Sequence, residues 1–181
     1  MATCVAATIL NPIPRTLNLR IDTPQDNDNR EPLSGQSFRF AIVASRWNDS
    51  LVTRLVDGAL QALREASVDD DSIEIYRVPG AFEIPVVVRE IALRKKANAI
   101  LALGVILQGK TSHAQNLAHS VTDALQKIAI DYGVPVINAV LSLETEAQAR
   151  ERCLGSKINR GKEAARAAVT VGEVLEDLRA K

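Results

Sequence analysis

From residue 38 onward the chain switches regularly between two hydrophobic periods. Short, unbroken apolar runs alternate with longer segments in which apolar residues return every three or four positions. Phe40-Ala41-Ile42-Val43-Ala44 predicts a buried strand. Asp49 or Ser50 can cap a helix with Leu51, Leu55, Val56, Ala59, Leu60 and Leu63 on one stripe. Residues 73–78 predict a second strand, which Pro79-Gly80 breaks, and the helix that follows tolerates Pro85 in its first turn. Residues 100–105 predict a third strand, then a loop to about Ser112 and a helix over 113–131 that Gly133 ends. Residues 134–141 predict a fourth strand. A short helix follows Glu144, a loop spans 154–160, and a last helix carries Ala164, Ala168, Val171, Leu175 and Leu178.

Strand and helix thus alternate four times, with one helix added at the end. The strands are apolar throughout, as in a parallel sheet covered on both faces. Right-handed crossovers then give a three-layer α/β/α sandwich around a four-stranded parallel sheet. In such sheets ligands bind beyond the carboxyl ends of the strands. The loops over 45–49, 78–83, 104–113 and 141–144 are therefore where chemistry is expected.

Residues 1–37 depart from this pattern. They hold four of the seven prolines and the polar run Gln25-Asp26-Asn27-Asp28-Asn29-Arg30-Glu31, which predicts a flexible arm ahead of a domain over 38–181. Within it, Leu17-Asn18-Leu19-Arg20-Ile21 alternates and can add an edge strand. The first ten residues lack the basic start of a secretory signal. Arg15 and Arg20 with no acid before Asp22 faintly resemble a transit peptide, but the segment is short and not rich in serine.

Composition narrows the function. Among 181 residues, Lys+Arg and Asp+Glu are both 22, which argues against a nucleic-acid surface or a polybasic membrane patch. No apolar run approaches the ~18 residues of a membrane span. Cys4 and Cys153 make no disulfide framework, so a reduced, cytoplasmic chain is expected. His113 and His119, six apart on a helix, fall on different faces, so no metal site is expected.

The predicted strand ends carry the candidate chemistry. Trp47, the single tryptophan, is either a packing residue under a loop or a stacking platform for a planar heterocycle. Gly80 and Ala81 let a ligand approach the backbone. Glu83 either complements a helix dipole or accepts hydrogen bonds from ligand hydroxyls. The loop Gln108-Gly109-Lys110-Thr111-Ser112 opens onto a helix N-terminus, a ready anion site, but it lacks the spacing of a Walker loop. His113, where that helix starts, is either structural or a proton shuttle beside the anion. Arg152 and Arg160 flank the last loop, either as solvated surface charges or for phosphate capture.

Four stretches together resemble the lumazine synthase family of the riboflavin pathway. Ser45-Arg46-Trp47-Asn48 is similar to S-R-[FW]-N, and Val78-Pro79-Gly80-Ala81-Phe82-Glu83-Ile84-Pro85 to V-P-G-[AS]-[FW]-E-[IL]-P. Ala102-Leu103-Gly104 with Gly109, Thr111 and His113 resembles A-L-G-x4-G-x-T-x-H, and Asn159-Arg160-Gly161-Lys162-Glu163-Ala164-Ala165 resembles N-[KR]-G-x-E-A-A. The resemblance covers residues 38–178. It implies a flavodoxin-like fold and the condensation of 5-amino-6-(D-ribitylamino)uracil with 3,4-dihydroxy-2-butanone 4-phosphate to 6,7-dimethyl-8-ribityllumazine, with no metal or organic cofactor.

Carried over, Trp47 stacks on the pyrimidine, and Ala81, Phe82 and Glu83 hold the ribityl chain. Val105, Ile106 and Leu107 line the ring edge. Lys110 and Thr111 present N–H groups to the phosphate, Arg152 caps it, His113 shuttles protons, and Arg160 and Glu163 support the site. The resemblance further implies homopentamers with sites shared between subunits, Asn138 and Arg152 coming from the neighbour and the 17–21 strand extending a neighbouring sheet. The short, insertion-free 154–160 connection favours a hollow 60-subunit shell, and association with riboflavin synthase is a further implied partnership. The chain departs from the family pattern at Gln108, where Arg is usual, at Lys110, at Ala114-Gln115-Asn116, and at Asn138, where Phe is frequent. Loss of that ring removes about 0.5–1.5 kcal/mol of stacking. A non-catalytic flavin- or lumazine-binding relative is the alternative. A phospho-receiver is excluded, because the first strand ends in Ser45-Arg46-Trp47 rather than in metal-binding acids.

Overall fold

A computed structural model of the chain describes residues 38–155 and 158–180; the 1–37 arm and the 17–21 strand lie outside them. The element order is β1 (Phe40–Ser45), α1 (Asp49–Glu65), β2 (Ile73–Val78), α2 (Ile84–Leu93), β3 (Ala99–Leu107), α3 (His113–Tyr132), β4 (Val136–Leu143), α4 (Glu146–Leu154) and α5 (Arg160–Arg179). Single 3₁₀ turns precede β2 at Asp70–Ser72 and α2 at Ala81–Glu83. The four strands form one sheet in the order β2-β1-β3-β4, all pairs parallel. That is the doubly wound order, whose direction of winding reverses between β1 and β3.

Burial follows from this order. β1 is buried throughout and β3 nearly so, because each lies between two strands and two helical layers. One core joins Phe40, Ile42, Leu101 and Leu103 to α1, α4 and α5. The other joins Ala41, Val43, Ile100 and Ala102 to α2 and α3. Alternate residues of one strand thus feed opposite cores, as the pleat requires. β2 and β4 are sheet edges in a single chain and stay half exposed, so cover on both faces holds for the two central strands only.

Three details differ from the expected boundaries. β4 covers Val136–Leu143 rather than 134–141, following its pairing with β3 from Ile100 to Leu107. β3 runs on to Leu107, so Ile106 and Leu107 belong to the strand rather than to the loop. The residue before α1 is Asn48 in the left-handed region, φ 58°, and neither Asp49 nor Ser50 caps the helix. Asparagine tolerates this conformation better than most side chains. Gly133 does end α3: at φ 64° its N–H donates to the Ala129 carbonyl at 3.0 Å, an αL cap.

α4 and α5 meet at a corner built by Asn159. Its Oδ1 accepts from the N–H groups of Gly161 and Lys162 at 2.9 and 3.1 Å, capping α5. Its Nδ2 donates to the Cys153 carbonyl at 2.9 Å, closing α4 onto the same residue. A Cβ on Gly161 would lie 2.0 Å from the Leu55 carbonyl oxygen, so only glycine lets α5 start against the α1 backbone.

Candidate active site

The carboxyl ends of β1, β2 and β3 lie side by side, and backbone hydrogen bonds knit their loops together. Arg46 N–H donates to the Val78 carbonyl at 2.7 Å and Trp47 N–H to the Pro79 carbonyl at 3.0 Å, continuing the β1–β2 ladder past the strands. On the other side, Asn48 Nδ2 donates to the Val105 carbonyl of β3 at 2.8 Å. That bond crosses between β1 and β3, where the winding reverses and a doubly wound sheet opens its ligand crevice. Ser45, fully buried, directs Oγ at the Trp47 carbonyl from 3.4 Å.

On this platform Trp47 is 75% exposed and Phe82 is 65% exposed. Neither ring is a core residue, which removes the packing alternative for Trp47. Between them, Ala81 is buried and Glu83 half buried. Glu83 Oε2 accepts the Gly80 N–H at 2.9 Å, so one carboxylate oxygen fixes the turn and the other makes no bond among the described residues. One Glu83 oxygen thus serves the turn at the start of α2. Val105 and Ile106 are buried, Leu107 is partly so, and the 108–112 loop is exposed. Ser112 makes no side-chain cap at the start of α3, and apart from a 3.4 Å contact of His113 N–H with Thr111 Oγ1 the first-turn N–H groups have no side-chain partner among the described residues. An anion there meets free donors and the positive end of a long helix. Exposed His113 is the first residue of that helix.

The remaining candidates lie elsewhere in the chain. Asn138 sits in β4, five residues before that strand's end; it pairs with Ala102, which pairs with Val43, so it lies two residues below Ser45 at the end of β1. Its Nδ2 donates to Thr122 Oγ1 of α3 at 3.2 Å, and its Oδ1 accepts from Val140 N–H at 3.0 Å. Arg152 is on the last turn of α4, and its Nε is buried with no hydrogen-bond partner among the described residues. Arg160 pairs with Glu163 across the first turn of α5. Among the described residues no hydrogen bond or ion pair links these four to Trp47, Glu83 or His113.

A groove of about 800 Å³ opens beside the platform between α1, α4 and the end of β3, lined by Asn48, Thr53, Arg54, Leu107 and Arg150. Its guanidinium groups are neutralised locally, Arg54 by Asp57 at 3.5 Å and Arg150 by Glu146 at 2.9 Å. Among the described residues no cluster of three or more His, Cys, Asp or Glu side chains is placed to hold a metal ion, and no helix is long and apolar enough to cross a membrane.

The family model for 6,7-dimethyl-8-ribityllumazine synthase matches residues 37–176, which takes in β1–β4, α1–α4 and all but the last three residues of α5. The chain belongs to this family. It is 40% identical over 153 residues to the 6,7-dimethyl-8-ribityllumazine synthase of Stenotrophomonas maltophilia (strain R551-3), covering 84% of this chain and 97% of that protein. It is 41% identical over 145 residues to the one from Halorhodospira halophila (strain DSM 244 / SL1), covering 80% and 93%. A more distant relative of the same name, from Syntrophus aciditrophicus (strain SB), is 35% identical over 146 residues.

Within the family frame, Asn48 and Ser45 are the platform residues that motif reading quoted but assigned no work. The available signal for Asn48 was an asparagine directly between a strand and a helix, the residue type that enters αL most readily after glycine.

Proposed function

We propose that this chain condenses 5-amino-6-(D-ribitylamino)uracil with 3,4-dihydroxy-2-butanone 4-phosphate to 6,7-dimethyl-8-ribityllumazine. The pyrimidine amine attacks the ketone and water leaves as the Schiff base forms. Phosphate is eliminated, and the ribitylamino nitrogen then closes the ring with loss of a second water. The observation that carries this reading, beside family membership, is the convergence of exposed Trp47, Glu83 and the open N-terminus of α3 on one sheet edge. These suit a planar ring, a polyol and a phosphate in turn. Phe82 and the 81–82 backbone flank the ribityl chain, Val105, Ile106 and Leu107 line the ring edge, and Lys110 and Thr111 face the phosphate. His113, at the phosphate end of the ring, moves protons between the amine, the carbinol and the leaving group. Retention of His113 weighs against a non-catalytic binder.

Asn138, Arg152, Arg160 and Glu163 complete the site from an adjacent subunit in a homopentamer. That no hydrogen bond or ion pair among the described residues joins these four to Trp47, Glu83 or His113 supports this, as does the apolar surface left open at Ile75, Phe82, Val86, Leu93 and Ile130. The 17–21 strand of the arm adds to a neighbour's free sheet edge. Pentamers assemble further into a 60-subunit shell able to associate with riboflavin synthase, in the cytoplasm. The deciding assay mixes purified protein with both substrates and follows lumazine fluorescence. Product formation at the spontaneous rate overturns the reading.

A further inference from the structure

A ring that is 75% exposed cannot be held in place by packing, so the orientation of Trp47 depends on the backbone that carries it. That backbone contains a weak point. Asn48, immediately after Trp47, sits at φ 58°, a conformation that costs a non-glycine residue free energy and persists only where its surroundings enforce it. Three bonds act on the near side: Arg46 and Trp47 N–H to the Val78 and Pro79 carbonyls, and Asn48 Nδ2 to the Val105 carbonyl. On the far side stands Asp49, the first residue of α1, whose carboxylate is ion-paired with the guanidinium of Arg77. Arg77 immediately precedes Val78 and Pro79 on β2. The pair therefore closes a ring: from Arg77 along β2 to the two carbonyls, across to Arg46 and Trp47, through the left-handed Asn48, and back from Asp49 to Arg77. Arg77 keeps only 24% of its side chain exposed, whereas Asp49 keeps 65%. The partly buried cation is the fixed jaw and the helix start is the part it holds.

We propose that Arg77 and Asp49 are positioning residues that lock the Trp47 loop in its stacking orientation, so that the pyrimidine meets a preformed platform. The proposal rests on the reading of Trp47 as the pyrimidine stacker. Neither residue touches substrate, and both act through the Asn48 backbone. Asp49 has a second task, complementing the α1 dipole, which does not depend on Arg77. The two tasks can therefore be separated by changing Arg77 alone.

The test uses the full chain with Arg77→Met, Arg77→Lys, Asp49→Asn and the Arg77→Met/Asp49→Asn double variant. Arg77→Met and Asp49→Asn should each raise KM for the ribitylaminouracil about 3–10-fold, the range left by losing a positioned contact. KM for the butanone phosphate and kcat at saturation should stay within about twofold. The double variant should be no worse than either single change, the signature of one shared interaction. Arg77→Lys, which keeps the charge, should recover most of the loss. A ligand-free readout accompanies the kinetics: Trp47, the single tryptophan, should show lower fluorescence anisotropy and greater acrylamide quenching in Arg77→Met, with Arg77→Lys near wild type. Additive losses, equal rises in both KM values, or unchanged Trp47 fluorescence in Arg77→Met would each overturn the clamp. Failure of the underlying reading looks different. Trp47→Ala would then leave the pyrimidine KM untouched, while the fluorescence arm still decides whether the pair holds the loop.

Discussion

At the scale of single residues, His113 and Cys153 make the sharpest contrast. His113 is exposed as the first residue of α3. General acid–base groups contribute ~10²–10⁴-fold, so His113→Ala should lower kcat by about that range. Pyrimidine binding, followed by quenching of Trp47 emission, should hardly change. Wild-type turnover in the variant would remove His113 from the chemistry. Cys153, in contrast, is fully buried among the α1, α4 and α5 side chains, and burial pushes its thiol up to about 11 from an ordinary 9.0. Thiolate, the reactive form, is therefore scarce at neutral pH. The sign of the linkage follows. The unfolded thiol releases its proton near 9 and the folded one near 11, so this residue's contribution is intact below 9 and is lost as pH rises through that window. A Cys4→Ser protein should resist Ellman's reagent at pH 8 when native and react at once in denaturant, and its urea midpoint should fall between pH 9 and 11 relative to a Cys4→Ser/Cys153→Ala control.

At the scale of elements, periodicity was a sound guide wherever an element's environment is uniform. β1 and β3 are buried on both faces and read as unbroken apolar runs, and the amphipathic stripe of α1 lies where the 3–4 spacing put it. Boundaries were less legible, because strand ends are set by pairing across the sheet rather than by local pattern. β3 continues to Leu107 because β4 pairs with it that far, Leu107 opposite Leu143. The Asn159-Arg160-Gly161 motif is legible only in three dimensions. Its asparagine caps α5 and ties down α4, and its glycine admits the Leu55 carbonyl. This gives the motif an architectural role that sequence alone does not reveal. Gly161→Ala should cost at least the ~1–3 kcal/mol of overpacking, since the obstacle is backbone and cannot rotate away. Gly109→Ala, with nothing within 4 Å of the new methyl, should stay within ~0.5 kcal/mol. Urea denaturation of the two variants checks both, and equal midpoints would show that α5 can shift off α1 at little cost.

At the scale of the whole molecule, half of the candidate site was legible and half was not, for a geometric reason. Trp47, Glu83 and His113 sit at ends of adjacent parallel strands, so the rule that ligands bind at carboxyl edges finds them. Asn138 and Arg152 obey no rule internal to one chain: one is in mid-strand and the other on the last turn of α4. In the proposed pentamer a neighbour brings them to the platform, so the site reading and the assembly reading stand or fall together. In that proposal a closed ring, built by one repeated heterologous contact, pairs the Trp47 half of each subunit with the Arg152 half of the next. Trp47→Ala and Arg152→Ala should therefore each cripple the chain, the second by weakening butanone-phosphate binding ~10–150-fold, the range of a lost charge-assisted bond. Refolded together in equal amounts, the two inactive proteins should regain about a quarter of wild-type activity, because random mixing leaves that share of interfaces with both halves intact. Light scattering on the wild type sets the ring size. Five copies of 19.6 kDa scatter as about 98 kDa and sixty as about 1.2 MDa. No recovery on mixing, or full activity in a 19.6 kDa monomer, would return every site residue to a single chain and leave Arg152 without a phosphate to bind.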